Sequence, residues 1–318
     1  FLLICCMKPW RLGFFACGLV LRPLWTPRAM ATLGDRAPKR PKGTCASGQT
    51  QQFAEVAGAL EAYFDGLHFC DVERLKEVWH PEGHLYGIAP SGDVVDRDAE
   101  TFFDGVAKRK TSQDLEEHDR IIRLDFASPR CCAAKVQIAL PAAPTSPTPS
   151  LTEVLYTDFL ILLRLKGRWQ IISKVFSAVP LSQRWYTEPY DTLAFAAGDP
   201  VRGVLEYFRG GHLSKPDILG KNFHEVARLC FSNAEEELVC WSRSEFSEVL
   251  QQQAVTADDS EALRFDKVLG VDKAGPDVAL IKLQIGYPPL LHTDFLSMLR
   301  LHGNWWIIAK SSDCENFE

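Results

Sequence analysis

The second half of this chain repeats the first, and the repeat constrains the fold more than any other feature. The nineteen residues from Tyr156 to Lys174 recur as His292 to Lys310 with twelve identical positions. Further matches occur upstream in the same order at a spacing of 144 residues: Tyr63 with Tyr207, Phe64 with Phe208, Gly66 with Gly210, His80 with His224, Leu85 with Leu229 and Phe102 with Phe246. Matches in one consistent order predict two copies of a single domain.

The repeat places copy one at residues 53–178 and copy two at 199–314, joined by a linker at 179–198. A chain of 318 residues is long enough for two such domains, each with its own core. Its apolar fraction of 46% and charged fraction of 24% are typical of globular proteins. Because no apolar run reaches about eighteen residues, we expect no membrane span.

Residues 1–48 differ from both copies in charge and pattern. Eight Lys or Arg and one acid occur up to position 44, which leaves 27 basic and 40 acidic residues, a net charge of −13, in the remainder. An acidic body repels phosphate backbones, so we expect no nucleic-acid partner. The segment itself has no sustained helical or strand period, and we expect it to be disordered or to be a targeting peptide.

Two readings of the N-terminus remain open. Read from Met7, basic residues precede the apolar stretch 12–21, and Ala29-Met30-Ala31 has the small-x-small form of a cleavage site, as in a signal peptide. Read from Met30, the chain begins as an ordinary cytoplasmic protein. The cysteines slightly favour the second reading.

The cysteine pattern predicts free, buried thiols. Seven of the ten Cys lie beyond residue 31, and none recurs at a matching position in the other copy. An odd number without matched positions is not typical of a disulfide framework. No Cys/His spacing is typical of a zinc site, so we expect neither a metal nor a cofactor.

Each copy is predicted to begin with helices. Apolar residues recur at i, i+3, i+4 and i+7 over 53–67, which predicts a first helix. Asp71 and Asp98 are predicted N-caps of a second and a third helix. In copy two, Ser242 followed by Glu245 has the spacing of a capping box. Three helices per copy are therefore expected.

The rest of each copy is predicted to be strands. The predicted hairpin turns are Lys166-Gly167 and His302-Gly303. The stretches of copy one rich in β-formers are 120–126, 131–140, 153–165 and 168–176. A turn at His80 and Pro81 is predicted to end the second helix. Helices followed by an antiparallel meander predict an α+β fold, with the helices on one face of a curved antiparallel sheet.

Three segments together resemble a known family. They are Tyr63-Phe-Asp-Gly66, Trp79-His-Pro-Glu-Gly-His-Leu-Tyr-Gly87 and Gly167-Arg-Trp-Gln-Ile-Ile-Ser-Lys-Val-Phe176. In order and spacing they are similar to the putative lumazine-binding family of the nuclear transport factor 2-like, or SnoaL-like, superfamily. The resemblance implies two cone-shaped domains in tandem. It also implies a small-molecule ligand, although the family has no settled function.

The resemblance also allows a test for isomerase chemistry. Ketosteroid isomerase, of the same superfamily, uses an Asp base and an oxyanion hole formed by a Tyr and a protonated Asp. The tyrosine position falls on Tyr63, the base on Gly87 and the protonated acid on Ile161. In copy two, the same three positions are Tyr207, Phe231 and Ser297. Both carboxyl groups are absent from copy one, so we expect no catalytic residue of that kind.

The family's cavity positions in copy one form an apolar lining with one hydroxyl group. The candidate binding residues are Tyr63, Leu67, Gly87, Phe102, Ile161 and Phe176. They predict binding of a small apolar or aromatic molecule without catalysis. Two alternatives remain open: a lyase or isomerase of the polyketide-cyclase or dehydratase kind, and a protein-interaction scaffold. In either case, we expect the two copies to pair intramolecularly through their sheets.

An acid and a lysine are repeated near the end of each copy. Asp158 and Lys174 recur as Asp294 and Lys310, and each pair is predicted to interact across adjacent strands. Asp158 lies three residues before Ile161. In a strand without a bulge, that spacing places Asp158 on the face opposite the cavity.

Overall fold

The computed structural model describes six stretches of the chain. Residues 1–44 of the expected targeting or disordered segment lie outside them. The described residues are 45–142, 153–183, 199–212, 221–252, 265–287 and 290–316.

The described part of copy one contains three α-helices and six strands. The helices are α1 (Cys45–His68), α2 (Val72–Val78) and α3 (Ala99–Ala107). The strands are β1 (Trp79–Ile88), β2 (Val94–Asp98), β3 (Arg120–Ser128), β4 (Cys131–Pro141), β5 (Glu153–Leu165) and β6 (Arg168–Pro180). They form one sheet in the order β2-β1-β6-β5-β4-β3. Short 3₁₀ turns occupy Gln113–His118 and Leu181–Gln183.

Copy two has the same topology. Its described helices are α4 (Pro200–His212) and α5 (Arg243–Gln252). Its strands are β7 (Phe223–Ser232), β8 (Leu238–Ser242), β9 (Lys267–Lys273), β10 (Val278–Tyr287), β11 (Leu290–Leu301) and β12 (Asn304–Asn316). The order β8-β7-β12-β11-β10-β9 reproduces that of copy one. The place of its predicted second helix, between 212 and 221, lies outside the described residues.

The α+β class is confirmed, but each sheet is mixed and not antiparallel throughout. β1 pairs with β6 in parallel, as β7 does with β12. The helix-ending turn predicted at His80 and Pro81 is wrong, because both residues lie in β1. Pro81 lies where the β1–β6 register shifts between Trp79 and His84, an irregular stretch in which its missing N–H is tolerated.

The predicted helix starts agree with the structure except at α1. The Asp71 carboxylate accepts from the Arg74 N–H at 3.0 Å, and that of Asp98 from the Thr101 N–H at 2.8 Å. At α5, the capping box is reciprocal between Ser242 and Glu245. Helix α1 begins at Cys45, so the predicted N-terminal segment 1–48 ends within a helix.

The helices of each copy pack against one face of its own sheet. In copy one, the helix residues Val56 and Leu60 belong to the same buried cluster as Leu160 and Leu162 of β5. The other faces of the two sheets share a second cluster, which contains Phe159 and Ile161 of copy one with Phe295 and Leu299 of copy two. Apolar residues thus cover both faces of β5, which explains its nearly continuous apolar sequence.

One expectation about the cysteines is wrong. Cys230 and Cys240 form a disulfide that joins the paired strands β7 and β8. No local pattern indicates this bond, because the two residues become neighbours only through strand register. Cys131 and Cys132 are free and buried, as predicted.

None of the helices in the described stretches is both long and apolar enough to cross a bilayer.

Candidate functional site

A tyrosine, an aspartate and a lysine meet inside the cone of copy one. The Tyr63 hydroxyl of α1 donates to Asp158 Oδ2 of β5 at 2.8 Å. Lys174 Nζ of β6 donates to the same carboxylate oxygen at 2.7 Å and to the Tyr63 hydroxyl at 2.6 Å. We call this group the copy-one triad.

The triad lies in the core, away from water. Tyr63 and Asp158 are 0% exposed and Lys174 is 4% exposed. Burial lowers the pKa of Lys174, and the neighbouring Asp158 carboxylate opposes that shift. Burial and Asp158 together raise the pKa of Tyr63, so this hydroxyl keeps its proton at neutral pH and can act as a hydrogen-bond donor.

One oxygen of the triad has no partner. Asp158 Oδ1 is buried and accepts no hydrogen bond from the described residues. A buried acceptor without a partner costs free energy, which a water molecule or a ligand donor would recover. The triad therefore retains one unused hydrogen-bonding position.

Three aromatic rings surround the ammonium group of the triad. Lys174 Nζ lies 5.4 Å from the ring centre of Tyr63, 5.7 Å from that of Tyr156 and 5.5 Å from that of Phe176. Tyr156 and Phe176 contact each other at 5.6 Å between centres and are only partly buried. Both rings therefore lie next to Lys174 Nζ and are partly open to solvent.

Copy two has an equivalent triad with different neighbours. Tyr207 donates to Asp294 at 2.6 Å, and Lys310 lies 3.1 Å from the other oxygen of the same carboxylate. The repeat places His292 where copy one has Tyr156, and burial lowers the His292 pKa to about 4. Phe176 is replaced by Ser312, so the aromatic pair over the lysine belongs to copy one.

Of the six predicted binding residues, three lie in the core of the cone with the triad. Tyr63, Leu67 and Phe102 are buried in the cluster between helices and sheet, and Phe176 packs against that cluster. Ile161 lies on the other face of β5, in the cluster shared with copy two. Ile161 therefore does not line the interior of the cone.

The space beside the candidate binding residue Gly87 is already filled. A Cβ atom built at Gly87 would lie 2.6 Å from Phe176 Cζ, because the Phe176 ring already occupies that volume. In copy two, the Tyr287 hydroxyl likewise fills the space beside Gly211, which replaces Leu67. Both glycines thus permit close packing of an aromatic side chain.

The face expected for Asp158 is also wrong. Asp158, Leu160 and Leu162 point towards the helices, whereas Phe159 and Ile161 point towards copy two. The expectation that Ile161 faces the interior was shifted by one residue along β5. A shift of one residue exchanges the two faces of a strand. The available signal was the recurrence of the same Asp and Lys in the apolar strands of both copies.

The triad contains one carboxylate and one amine, without the ligand set of a metal. In the described part of the chain, no group of three or more His, Cys, Asp or Glu side chains is placed to hold a metal ion. What the triad can do is donate hydrogen bonds from Lys174, transfer a proton between amine and carboxylate, and orient a polar ligand group by the Tyr63 hydroxyl.

Relatives of this chain include a characterised protein and several solved structures. Aldolase FrzH from Cladobotryum sp is 24% identical over 131 residues, which cover 41% of this chain and 94% of that protein. A nuclear transport factor 2-like protein of unknown function from Shewanella baltica OS155 is 18% identical, with a TM-score of 0.35. The match covers 41% of this chain and 96% of that protein. A second such protein, from Silicibacter pomeroyi DSS-3, is 17% identical, with a TM-score of 0.35. The match covers 41% of this chain and 98% of that protein.

The family model for putative lumazine-binding proteins matches this chain twice, at residues 51–177 and 200–312. The two matches fall on the two copies and together include most of the chain. The chain belongs to the putative lumazine-binding family, and it carries two family domains in tandem.

Proposed function

We propose that copy one binds a small molecule with an apolar or aromatic body inside its cone, with the triad Tyr63, Asp158 and Lys174 as its polar contacts. The observation that carries this proposal is the unpartnered Asp158 Oδ1 beside a buried ammonium group. Small-molecule sites commonly combine an apolar lining with a few convergent polar groups.

Stability alone does not account for the triad. An apolar pair of similar volume stabilises a core about as well as a buried ion pair, because two charges must be removed from water. A buried lysine with a shifted pKa and a specific carboxylate partner is a frequent feature of functional sites. The triad is therefore a better candidate for ligand contact than for structural support.

The partly exposed rings of Tyr156 and Phe176 supply the apolar part of the proposed site. They are partly exposed and their centres lie 5.7 Å and 5.5 Å from Lys174 Nζ, so a ligand body would pack on them while its polar group reaches the triad. An acceptor such as a carbonyl or hydroxyl oxygen suits the Lys174 ammonium. A ligand N–H or O–H suits Asp158 Oδ1.

A titration with matched variants tests this proposal. The full chain is titrated calorimetrically with flavin-like and polyketide-like aromatic compounds, next to a Lys174→Met/Asp158→Asn double variant that replaces the buried charges together. The equivalent Lys310→Met/Asp294→Asn variant of copy two is the control. We expect affinity to fall about tenfold or more, the equivalent of one hydrogen bond to a charged group, only in the copy-one variant.

Circular dichroism of both double variants establishes that they fold. Equal affinity in the wild type and the folded copy-one variant would remove the triad from the binding site. A loss confined to the copy-two variant would place the ligand in copy two.

A lyase function is the second candidate, and the similarity to aldolase FrzH favours it. An amine, a carboxylate and a phenol within hydrogen-bond reach are suited to proton transfer next to a carbonyl group. Retro-aldol cleavage of aromatic β-hydroxy ketones, compared between the wild type and Lys174→Met/Asp158→Asn, would detect it. No difference between the two proteins would leave binding as the function.

We also propose that the two copies pair through their sheets in solution, which supports a scaffold role for copy two. The shared apolar cluster between the sheets supports this pairing. X-ray scattering of the full chain should then give one compact particle, whereas a two-bead profile would contradict the pairing.

A further inference from the structure

The Lys174 amine lies beside a proton acceptor and a hydroxyl group, which are the groups that assist imine formation. Its nitrogen lies within 2.7 Å of a carboxylate oxygen that can take its proton and within 2.6 Å of a phenol that can donate to an oxygen. Lysine amines form Schiff bases when desolvation favours the neutral amine. The surrounding rings and core exclude most water from this nitrogen.

We propose that Lys174 binds its ligand covalently, as an imine with an aldehyde or ketone that carries an apolar or aromatic body. This inference rests on the proposed ligand site in copy one and names the ligand class. The carbonyl end meets Nζ, and the body packs on the Tyr156 and Phe176 rings.

The reaction balances with groups that the site contains. Asp158 takes one proton from the Lys174 ammonium, and the free amine attacks the carbonyl carbon. The carbonyl π electrons move to oxygen, which receives a proton from the nitrogen through the Tyr63 hydroxyl. The resulting carbinolamine loses its hydroxyl group, which leaves as water with the proton held by Asp158.

The product is an iminium ion, and its charge equals that of the ammonium it replaces. Asp158 therefore has a cationic partner before and after the reaction, which avoids leaving a buried carboxylate unpaired. The charge balance of the core does not oppose imine formation.

The test separates covalent capture from binding. The probes are hydrocinnamaldehyde and its alcohol, hydrocinnamyl alcohol, which has the same body without the carbonyl group. The full chain is incubated with the aldehyde at neutral pH and reduced with sodium cyanoborohydride, and peptide mass spectrometry locates the adduct. Calorimetry with the alcohol reports binding without reaction.

We expect labelling of Lys174 to exceed that of the exposed Lys76 by about tenfold or more, because the site orients amine and carbonyl. Lys174→Arg keeps the charge but cannot form an imine, so its labelling at this position should disappear. Lys310→Arg is the matched variant of copy two and should label like the wild type.

The outcomes are distinguishable. If the alcohol binds and Lys174 is not labelled, the imine proposal is wrong and the binding site stands. If the alcohol does not bind and labelling is uniform over surface lysines, both proposals are wrong. Labelling that persists on another lysine to the same extent in Lys174→Arg would overturn the assignment to Lys174.

Discussion

Lys135 and Lys282 occupy equivalent positions in the two copies, and each reaches across the interface to the other copy. Lys135 Nζ donates to Asp272 Oδ1 at 2.7 Å and to the Lys273 carbonyl oxygen at 2.8 Å. Lys282 Nζ donates to Asp125 Oδ1 and to the Phe126 carbonyl oxygen, both at 2.8 Å. The two sets of contacts are reciprocal, as in the isologous interface of a two-fold dimer.

The same reciprocity extends to other parts of the interface. At the hairpin tips, Lys166 Nζ contacts Glu237 at 3.0 Å, and the equivalent His302 contacts Asp93 at 3.1 Å. The apolar cluster lies between these polar contacts. The duplicated chain thus forms within one molecule the arrangement that two identical domains would form as a dimer.

Removing Lys135 should destabilise the protein more than removing Lys282. Lys135→Met leaves Asp272 without its cation at a largely buried position, which costs about 2–5 kcal/mol. The Lys282 side chain is 19% exposed against 5% for Lys135, so Lys282→Met should cost less. Urea unfolding measures both, with the exposed Lys76→Met as a control that we expect near zero. Losses equal to that of the control would contradict this account of the interface.

Tyr63→Phe should be more destabilising than Tyr207→Phe. The Tyr63 hydroxyl donates to Asp158 and accepts from Lys174, and hydrogen bonds to charged groups contribute about 1.5–3 kcal/mol each. In copy two, we identify one such contact, from Tyr207 to Asp294. Equilibrium unfolding of both variants compares them. Equal losses would show that the two hydroxyl groups have the same role in their cores.

The ion pair at the end of α1 should make stability depend on pH. His68 Nδ1 lies 3.0 Å from Ser112 Oγ, and its Nε2 lies 3.0 Å from Asp119. Burial alone would lower the His68 pKa, but the Asp119 hydrogen bond and charge outweigh burial and raise the pKa above 6.5. A raised folded-state pKa stabilises the protein below the unfolded-state pKa, and this contribution is lost as the pH rises through the folded-state pKa.

His68→Gln should therefore cost more free energy of unfolding at pH 5.5 to 6 than at pH 9. Denaturant unfolding at several pH values measures the difference from the wild type. His118→Gln, in the adjoining 3₁₀ turn, is the control. A pH-independent cost for His68→Gln would exclude the ion pair as its cause.

The Cys230–Cys240 disulfide should resist alkylation in the denatured, unreduced protein. Cys70, Cys131 and Cys132 are free and should all react under these conditions. The two half-cystines are ten positions apart, so replacing both by Ala should lower stability by about 2–3 kcal/mol through the unfolded state. Mass spectrometry with and without reductant checks the pairing. Alkylation of Cys240 without reductant would disprove it.

Local patterns predicted much of the fold because they report on neighbours along the chain. The capping residues Asp71, Asp98 and Ser242 were identifiable, since a cap lies within three residues of the N–H group it satisfies. The strand at Trp79 was missed because a His-Pro pair close to a helix is also typical of a turn. Its pairing partner is β6, which begins about ninety residues later.

The sequence by itself determined the duplication, the order of most elements and the family, because these depend on repeated residues and local periods. Only the tertiary structure decided that Tyr63, Asp158 and Lys174 meet. The three residues lie on three different elements. The hydrophobic period of a helix or strand shows which of its residues share a face, but it does not show which faces of different elements oppose each other. β6 also contains an extra residue where Ile161 and Leu162 pair with Ser173 and Ile171. That bulge turns Lys174 towards the helices, and its position is set by strand pairing across the sheet, which the order of residues along β6 does not reveal.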